Sequence, residues 1–328
     1  MPSTVLRFDD FHLYGASAPE WRQCYRQISR GAMHSALLQR TLGPTQLFRK
    51  SLSQRVLQQG CLPAGRICFA MALHAHGPAR MQGREFSAQR LFVLRGGEDF
   101  VIHRPAHMEL LALTFDASDF DAFLAGQGDA AHLRATIGRG FAEVSEALLA
   151  RLRGALPLLA WGAHARGRPE PAWTALAQAA LMAAVVEVLR CGKAQPRRGR
   201  GVLSHVLVGE CHRLTLASVH APPSIEALCA RLRTSRRTLQ DSFRQVAETT
   251  PVDYLRAIRL NLVRDALHRS RTGELDIGEI AAHAGFSQLS HFAHRYRQLF
   301  GELPSQTLRA EMLATAAHAC RPPAGGAG

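Results

Sequence analysis

The feature that most constrains this chain is an internal repeat near its C-terminus. Residues 225–256 read IEALCARLRTSRRTLQDSFRQVAETTPVDYLR, and residues 277–309 read IGEIAAHAGFSQLSHFAHRYRQLFGELPSQTLR. Ile225 matches Ile277, Leu228 matches Ile280 and Cys229 matches Ala281, all at an offset of 52 positions. From Leu239 and Phe292 onward the offset is 53, through Phe243 and Tyr296, Arg244 and Arg297, Val246 and Leu299, and Pro251 and Pro304. A one-residue insertion at the start of the second helix of the later copy accounts for the change. Such self-similarity means one supersecondary unit used twice. Each copy has a short helix with apolar residues at i, i+3 and i+4, a tight turn, a polar cap, and a longer helix with apolar residues four apart. That is the layout of a helix-turn-helix. Gly285 falls at the turn of the second copy, where a positive φ is expected, and Ser287 is its expected N-cap. Arg233 takes the glycine position in the first copy.

The longer helices carry the candidate binding residues. With Leu239 and Phe243 turned inward, the first presents Ser235, Arg236, Arg237, Thr238, Gln240, Asp241 and Arg244. With Phe292 and Tyr296 inward, the second presents Ser287, Gln288, Ser290, His291, His294, Arg295 and Arg297. Arginine and glutamine can bond the edges of guanine and adenine in a bidentate manner, and serine and arginine suit phosphates. Asp241 would repel phosphate, so it either accepts from a cytosine amine or pairs with a neighbouring arginine. A pair of solvated helical hairpins is the bland alternative. Two unlike copies joined by PVDYLRAIRLNLVRDALHRSRTG favour DNA.

Residues 202–312 resemble the C-terminal DNA-binding domain of the AraC/XylS family of bacterial transcription regulators. The stretches SRRTLQ, LRAIRLNLVRDAL and IAAHAGFSQLSHFAHRYRQLFGELPS carry the resemblance in order and spacing. It implies seven helices, with a long central helix near 252–268 holding the two units. It also implies recognition helices in successive major grooves, roughly 34 Å apart along the duplex. By matching positions, Arg237, Gln240 and Asp241, and Ser290, His291 and His294, are the implied base contacts. An activator that works with RNA polymerase is the implied function.

Composition permits this and excludes little. The 328-residue chain is 47% hydrophobic and 20% charged, with a formal net charge of +14. A polyanionic partner suits that charge. The basic residues are spread over the whole chain, and only Lys50 and Lys193 are lysine, so net charge does not locate a binding face. Seven scattered cysteines with no CxxC pair argue against a disulfide framework or zinc site and for a reducing compartment. The start MPSTVLRFDD lacks the apolar core of a signal peptide. The apolar run 174–189 is short and interrupted by Gln178 and Glu187, so no membrane span is expected. A cytoplasmic protein is expected. No GxSxG, P-loop or other catalytic motif stands out, so no enzyme activity and no cofactor is expected.

The remaining chain divides by texture. CGKAQPRRGRG (191–201) reads as a linker between a sensor and dimerisation domain (1–190) and the DNA-binding domain (202–316), with a disordered tail at 317–328. Residues 33–116 hold short apolar runs separated by Gly43–Pro44, Pro63–Ala64–Gly65, Gly77–Pro78 and Gly96–Gly97, the pattern of a small sheet or barrel. Residues 141–160 and 172–190 read as helices, the second apolar around most of its circumference and therefore buried in its own domain or against a partner chain. The fold class is α+β. Stretches such as RLFVLRGGEDFVIH resemble the branch of the family that includes the ethanolamine-utilisation regulator, which implies a jelly-roll or cupin-like sensor domain. A small-molecule effector is then expected in an apolar pocket walled by Phe48, Phe69 and Phe92. His74 and His76, with Glu85 and His103, raise the alternative of a cupin-type metal-binding enzyme or sensor fused to a DNA-binding domain; no metal is assigned. A non-specific architectural DNA protein is a third reading. The expected partners are double-stranded DNA, an effector, RNA polymerase and a second copy of the chain, with no membrane.

Overall fold

The computed structural model describes residues 5–17, 19–86, 90–143, 171–191, 200–270 and 276–307, with Ala150 and Gly154. Most of the expected linker, the tail from 317 onward and nearly all of 144–170 lie outside the described residues.

Twelve strands among the described residues make two antiparallel sheets. The larger runs β1 (Val5–Phe8), β3 (Ser35–Leu42), β4 (Thr45–Leu52), β11 (Met108–Asp116), β6 (Arg66–His74), β9 (Arg90–Arg95) and β12 (Phe141–Glu143). The smaller runs β2 (Cys24–Gln27), β5 (Val56–Cys61), β10 (Asp99–Arg104), β7 (Ala79–Met81) and β8 (Arg84–Phe86). The β3–β4 hairpin turns at Gly43–Pro44 with Leu42 opposite Thr45, and Gly43 has φ +57°, which glycine adopts without strain. Alternation along each strand then sorts the apolar side chains. Phe48, Phe92, Phe100, Ile102 and Leu110 fill the space between the sheets. Phe69, Met71, Leu111, Leu113 and Phe115 point to the other face of the larger sheet. The short helix α1 (Phe11–Ala16) lies between β1 and β2, and helices α2 (Ala117–Ala125), α3 (Ala130–Gly138) and α4 (Pro171–Cys191) cover that second face.

Two expectations change here. Residues 141–143 are not helical: Gly140 at φ +76° turns the chain, and Phe141 and Ala142 pair with Phe92 and Leu91 and are buried. Helix α4 is longer than the apolar run 174–189. Over residues 172–190 its mean hydropathy is 1.7, and by length and composition it could cross a membrane. Its inner face, with Leu181, Val185, Val188 and Leu189, is instead packed against the sheet core. The outer face leaves Ala172, Ala175, Leu176, Ala179 and Ala183 exposed.

The C-terminal third is helical: α5 (Arg200–Ala217), α6 (Ile225–Arg231), α7 (Arg236–Ala247), α8 (Pro251–Arg269), α9 (Ile277–His283) and α10 (Leu289–Phe300). An implied seventh helix would lie beyond residue 307, outside the described residues. Helix α8 serves two cores. Its Tyr254, Leu255 and Ile258 pack with Leu228, Leu239, Phe243 and Val246; its Leu260, Val263 and Leu267 pack with Ile280, Phe292, Tyr296 and Leu299.

The smaller sheet lies on this helical unit. Ile28 and Leu57 join the core around Tyr254. Asn261 of α8 clasps the backbone of Gln27, accepting from its N–H at 2.9 Å and donating to its carbonyl at 2.8 Å. Arg264 reaches Asp10 at 2.7 Å and Glu302 at 3.1 Å. Arg55 of the turn before β5 pairs with Glu248 at 2.9 Å. Burial alone would raise the Asp10 carboxyl, but the hydrogen bond from His268 and the attraction of Arg264 overcome it and hold that carboxyl well below the usual range.

Candidate nucleic-acid interface

Each unit is built from caps and turns that leave one polar face open. Ser224 caps α6 by accepting from the Ala227 N–H at 3.1 Å. The chain then turns through Arg233 at φ +50°, and Ser235 caps α7 by accepting from the Thr238 N–H at 3.0 Å. Leu239 and Phe243 are fully buried, which fixes the rotation of α7. Ser235, Arg236, Arg237, Thr238, Gln240, Asp241 and Arg244 are all exposed, as the spacing predicts. Helix α7 ends on Glu248 at φ +50°, and Thr250 caps α8 in turn.

The second unit repeats this backbone. Gly285 at φ +75° stands where Arg233 stands, and Gly301 at φ +79° stands where Glu248 stands. Gly285 is needed twice over: a Cβ there would lie 2.8 Å from Pro222 Cδ and 3.0 Å from the Val219 carbonyl. Two details differ from expectation. The extra residue of the second copy lies in the turn, not in the helix: one residue separates Arg233 from the cap Ser235, two separate Gly285 from the cap position Gln288. The cap position is therefore Gln288 rather than Ser287, and its side chain makes no capping bond. With Phe292 and Tyr296 buried, Ser287, Gln288, Ser290, His291, His294 and Arg297 are exposed, while Arg295 is half-buried.

The side chains on these faces differ in freedom. Arg236 is tied to Glu226 at 3.0 Å. Arg237 is 93% exposed and lies 4.0 Å from Asp241, so the aspartate has the neighbouring arginine as a partner. The ring of His294 is held by Gln298 at 2.7 Å. Three contributors escaped the sequence reading. Gln298 sits one turn after His294 and orients it. Arg259 of α8 lies over the Phe286 ring and donates to the Gly285 carbonyl at 3.3 Å, which pins the second turn. Leu289, the first residue of α10, is 52% exposed beside the polar face; its position immediately after the cap was the available signal.

The N-terminal candidates separate. Phe48 and Phe92 lie between the sheets, but Phe69 lies on the opposite face of the larger sheet, against the helices. The three cannot wall one pocket, because Phe69 has the other parity along its strand. The rings of His74 and His76 meet edge to face with centroids 4.6 Å apart, with His107 beside His76. Glu85 is paired with Arg80 at 3.0 Å, and His103 is buried against Tyr254. Among the described residues no group of three or more His, Cys, Asp or Glu side chains is placed to hold a metal.

Residues 228–310 match the family model described as a helix-turn-helix domain. The C-terminal part of this chain is an AraC-type helix-turn-helix domain. Among curated relatives, the XylDLEGF operon transcriptional activator of Pseudomonas putida is 42% identical over 86 residues, 26% of this chain and 27% of that protein. The HTH-type transcriptional regulator ArgR of Pseudomonas aeruginosa is 30% identical over 125 residues, 37% of each chain. A solved transcriptional regulator with an AraC-type DNA-binding domain, from Chromobacterium violaceum, is 30% identical, with a TM-score of 0.30; the match covers 32% of this chain and 90% of that one. The chain spans about a quarter of the length of the first of these relatives.

Proposed function

We propose that this protein is a cytoplasmic, sequence-specific DNA-binding transcription regulator, an activator that responds to a small-molecule effector. The observation that carries this reading is the pair of unlike polar faces on α7 and α10, each held by its own buried stripe on opposite parts of the single helix α8. Two different side-chain sets on one rigid support suit two different half-sites. Arg237, Gln240 and Asp241, and Ser290, His291 and His294, take the base edges. Ser235, Arg236, Thr238, Arg244, Ser287, Gln288, Arg295 and Arg297 take the backbone. Leu289 adds an apolar contact suited to a thymine methyl group.

The β-rich part, residues 1–190, is the sensor and dimerisation domain, joined through 191–201 to the domain at 202–316. Its two facing antiparallel sheets support a jelly-roll or cupin-like reading, and its stretches resemble the ethanolamine-utilisation branch. The exposed apolar face of α4 suits a second copy of the chain, and RNA polymerase is the partner of an activator. A metalloenzyme is the weaker reading, since Glu85 and His103 are engaged elsewhere.

Selection of binding sites from a random duplex pool at near-physiological salt tests the proposal. An enriched site with two unlike half-sites about 10 base pairs apart is the expected result. Uniform retention of all sequences, with affinity set by salt alone, would instead mark an architectural protein.

A further inference from the structure

Both longer helices of the repeat end on the same small piece of the β-rich domain. The turn 53–55, between β4 and β5, holds the end of α7: Arg55 donates to the Glu248 carbonyl at 3.0 Å and pairs with the Glu248 carboxylate at 2.9 Å. The loop 28–34, between β2 and β3, holds the end of α10: the Gly31 N–H donates to the Gln298 and Leu299 carbonyls at 3.1 Å, and the Gln27 amide donates to the Leu299 carbonyl as well. Glu248 and Gly301 are equivalent positions of the repeat, the left-handed residues that close α7 and α10. Gly301 lies so close to the loop that a Cβ there would be 3.0 Å from the Ala32 nitrogen. The last carbonyls of a helix have no partner within it, so an outside donor fixes where the helix ends in space.

The two holding segments are bonded to each other and move as one. The Ile28 N–H donates to the Arg55 carbonyl at 2.8 Å, the Arg55 N–H to the Ser29 hydroxyl at 2.8 Å, and the Gln54 amide to the Ala32 carbonyl at 2.8 Å. Between them Asn261 clasps Gln27, at the point where α8 passes from the first core, with Ile258, to the second, with Val263. Arg264, three residues on, joins Asp10 to Glu302 just past the end of α10. The helical unit by itself has less to fix its geometry. Its two cores have no side chain in common; α8 runs through both, and Val219 and Pro222 of the loop before α6 meet Gly285. Helix α8 has 19 residues, a length of about 28 Å, and helices of that length bend. A bend between Ile258 and Val263 displaces α10 relative to α7, unless the far ends of both are held by one rigid body.

We propose that Gln27, Arg55 and Asn261 are positioning residues for DNA reading: through them the β-rich domain holds α7 and α10 at one separation, so that the chain accepts one spacing of its two half-sites and rejects longer or shorter ones. One base pair more or less moves a half-site by about 3.4 Å along the duplex and about 35° around it. A pair of helices free to tilt about α8 absorbs part of such a change, whereas a clamped pair leaves the cost to the DNA, which must bend or twist. The consequence for DNA rests on the reading by two units proposed above; the clamp itself does not.

The test uses the full chain, natural and with Arg55→Ala plus Asn261→Ala. Alanine at 261 favours the helix, so α8 is kept while its hold on Gln27 is lost. Arg55→Ala alone removes a partly exposed ion pair and leaves every core intact, and it carries the test if the double variant does not fold. Affinity is measured on the selected site and on the same site with one base pair inserted or deleted between its half-sites. The natural chain binds the altered sites at least about tenfold more weakly, and the variants lose no more than about threefold. Without DNA, the distance between spin labels at Gln240 and Ser290 is measured by pulsed electron resonance, the labels being attached through encoded ketone side chains that spare the seven cysteines. The natural chain gives one narrow distribution and the variants a broader one. A uniform loss of affinity at all three spacings with unchanged discrimination would mean that the seam only stabilises the chain, and it would overturn the proposal. An equally narrow distribution in the variants, or a broad one in the natural chain, would overturn it too. Absence of DNA binding by the natural chain would remove the two-unit reading, and the label distances alone would then decide whether the clamp sets the separation of α7 and α10.

Discussion

If the two units read DNA as proposed, Arg237 and His294 are the residues on which that reading depends most. Arg237 is almost fully solvated and has only a distant aspartate at 4.0 Å, so little must be broken to bring it to a base edge. His294 is already oriented by Gln298. Arg237→Ala and His294→Ala are each expected to weaken binding to the selected site by about 1–3 kcal/mol and to leave random DNA nearly unaffected. Fluorescence anisotropy on both duplexes measures this; equal losses would mean phosphate contact. The turn residues make a complementary pair. Arg233 and Gly285 share the left-handed conformation, but only Gly285 also faces Pro222 and Val219. Arg233→Gly should therefore stabilise the chain slightly, by up to about 1 kcal/mol, because an L-residue adopts that conformation at a cost that glycine does not bear. Gly285→Ala should cost more than about 1 kcal/mol, since strain and overlap add. Chemical denaturation of both variants checks the opposite signs.

At the scale of elements, α4 shows how burial divides one apolar helix. Leu181 is fully buried against the sheet, whereas Leu176 is 70% exposed. Leu181→Ala is expected to cost about 2–5 kcal/mol, and Leu176→Ser to leave stability within about 0.5 kcal/mol. If α4 joins two copies, Leu176→Ser also lowers the apparent mass in analytical ultracentrifugation; an unchanged mass would remove α4 from the dimer reading. The helical elements were legible in the sequence because their signals are local. Apolar residues at three and four spacing, serine and threonine caps, and a turn glycine lie within one or two turns of each other. The repeat register survived to the φ angles of Arg233 and Gly285. The short strands were not legible: β2 and β12 hold four and three residues, and their pairing with β5 and β9 comes from partners 29 or more positions away. Strand parity was the other blind spot. Phe48 and Phe69 look alike in sequence, yet Phe48 pairs in register with Ala112 and Phe69 with Leu113, so the two rings leave the sheet on opposite faces.

The whole molecule is joined along a seam where the smaller sheet meets α5 and α8, and that seam holds histidines without charge. His103 of β10 contacts the Tyr254 hydroxyl at 3.3 Å, and His212 of α5 contacts the same hydroxyl at 3.4 Å. Burial first, then the neighbouring His205, His212 and Arg80, push His103 down to about 3; burial and Arg26 push His212 to about 3, and burial lowers His205. Each stays neutral in the folded protein where the unfolded chain, with an ordinary value near 6.5, would take up a proton. Between these values the unfolded state binds more protons, so stability is fully present above about pH 6.5 and falls as the pH drops toward 3. Each histidine adds at most about 1.4 kcal/mol per pH unit to that slope. Asp10 at the same seam is also acid-sensitive, but it titrates below its ordinary value of 3.8, so it leaves the window from about pH 6.5 to 4 to the histidines. Thermal melts at about pH 7 and about pH 5 should therefore show a drop that His103→Gln with His212→Gln makes shallower. The same clamp binds the two helix-turn-helix units to the β-rich domain, through Gln27 on Asn261 and Arg55 on Glu248. Acid should then increase hydrogen exchange at 24–29, 99–104 and 205–215 before it does so in α7 or α10. Equal pH slopes in the natural and doubly substituted proteins would mean that the histidines are solvated in solution and that the seam is held by Asn261, Arg264 and the apolar contacts of Ile28 and Leu57.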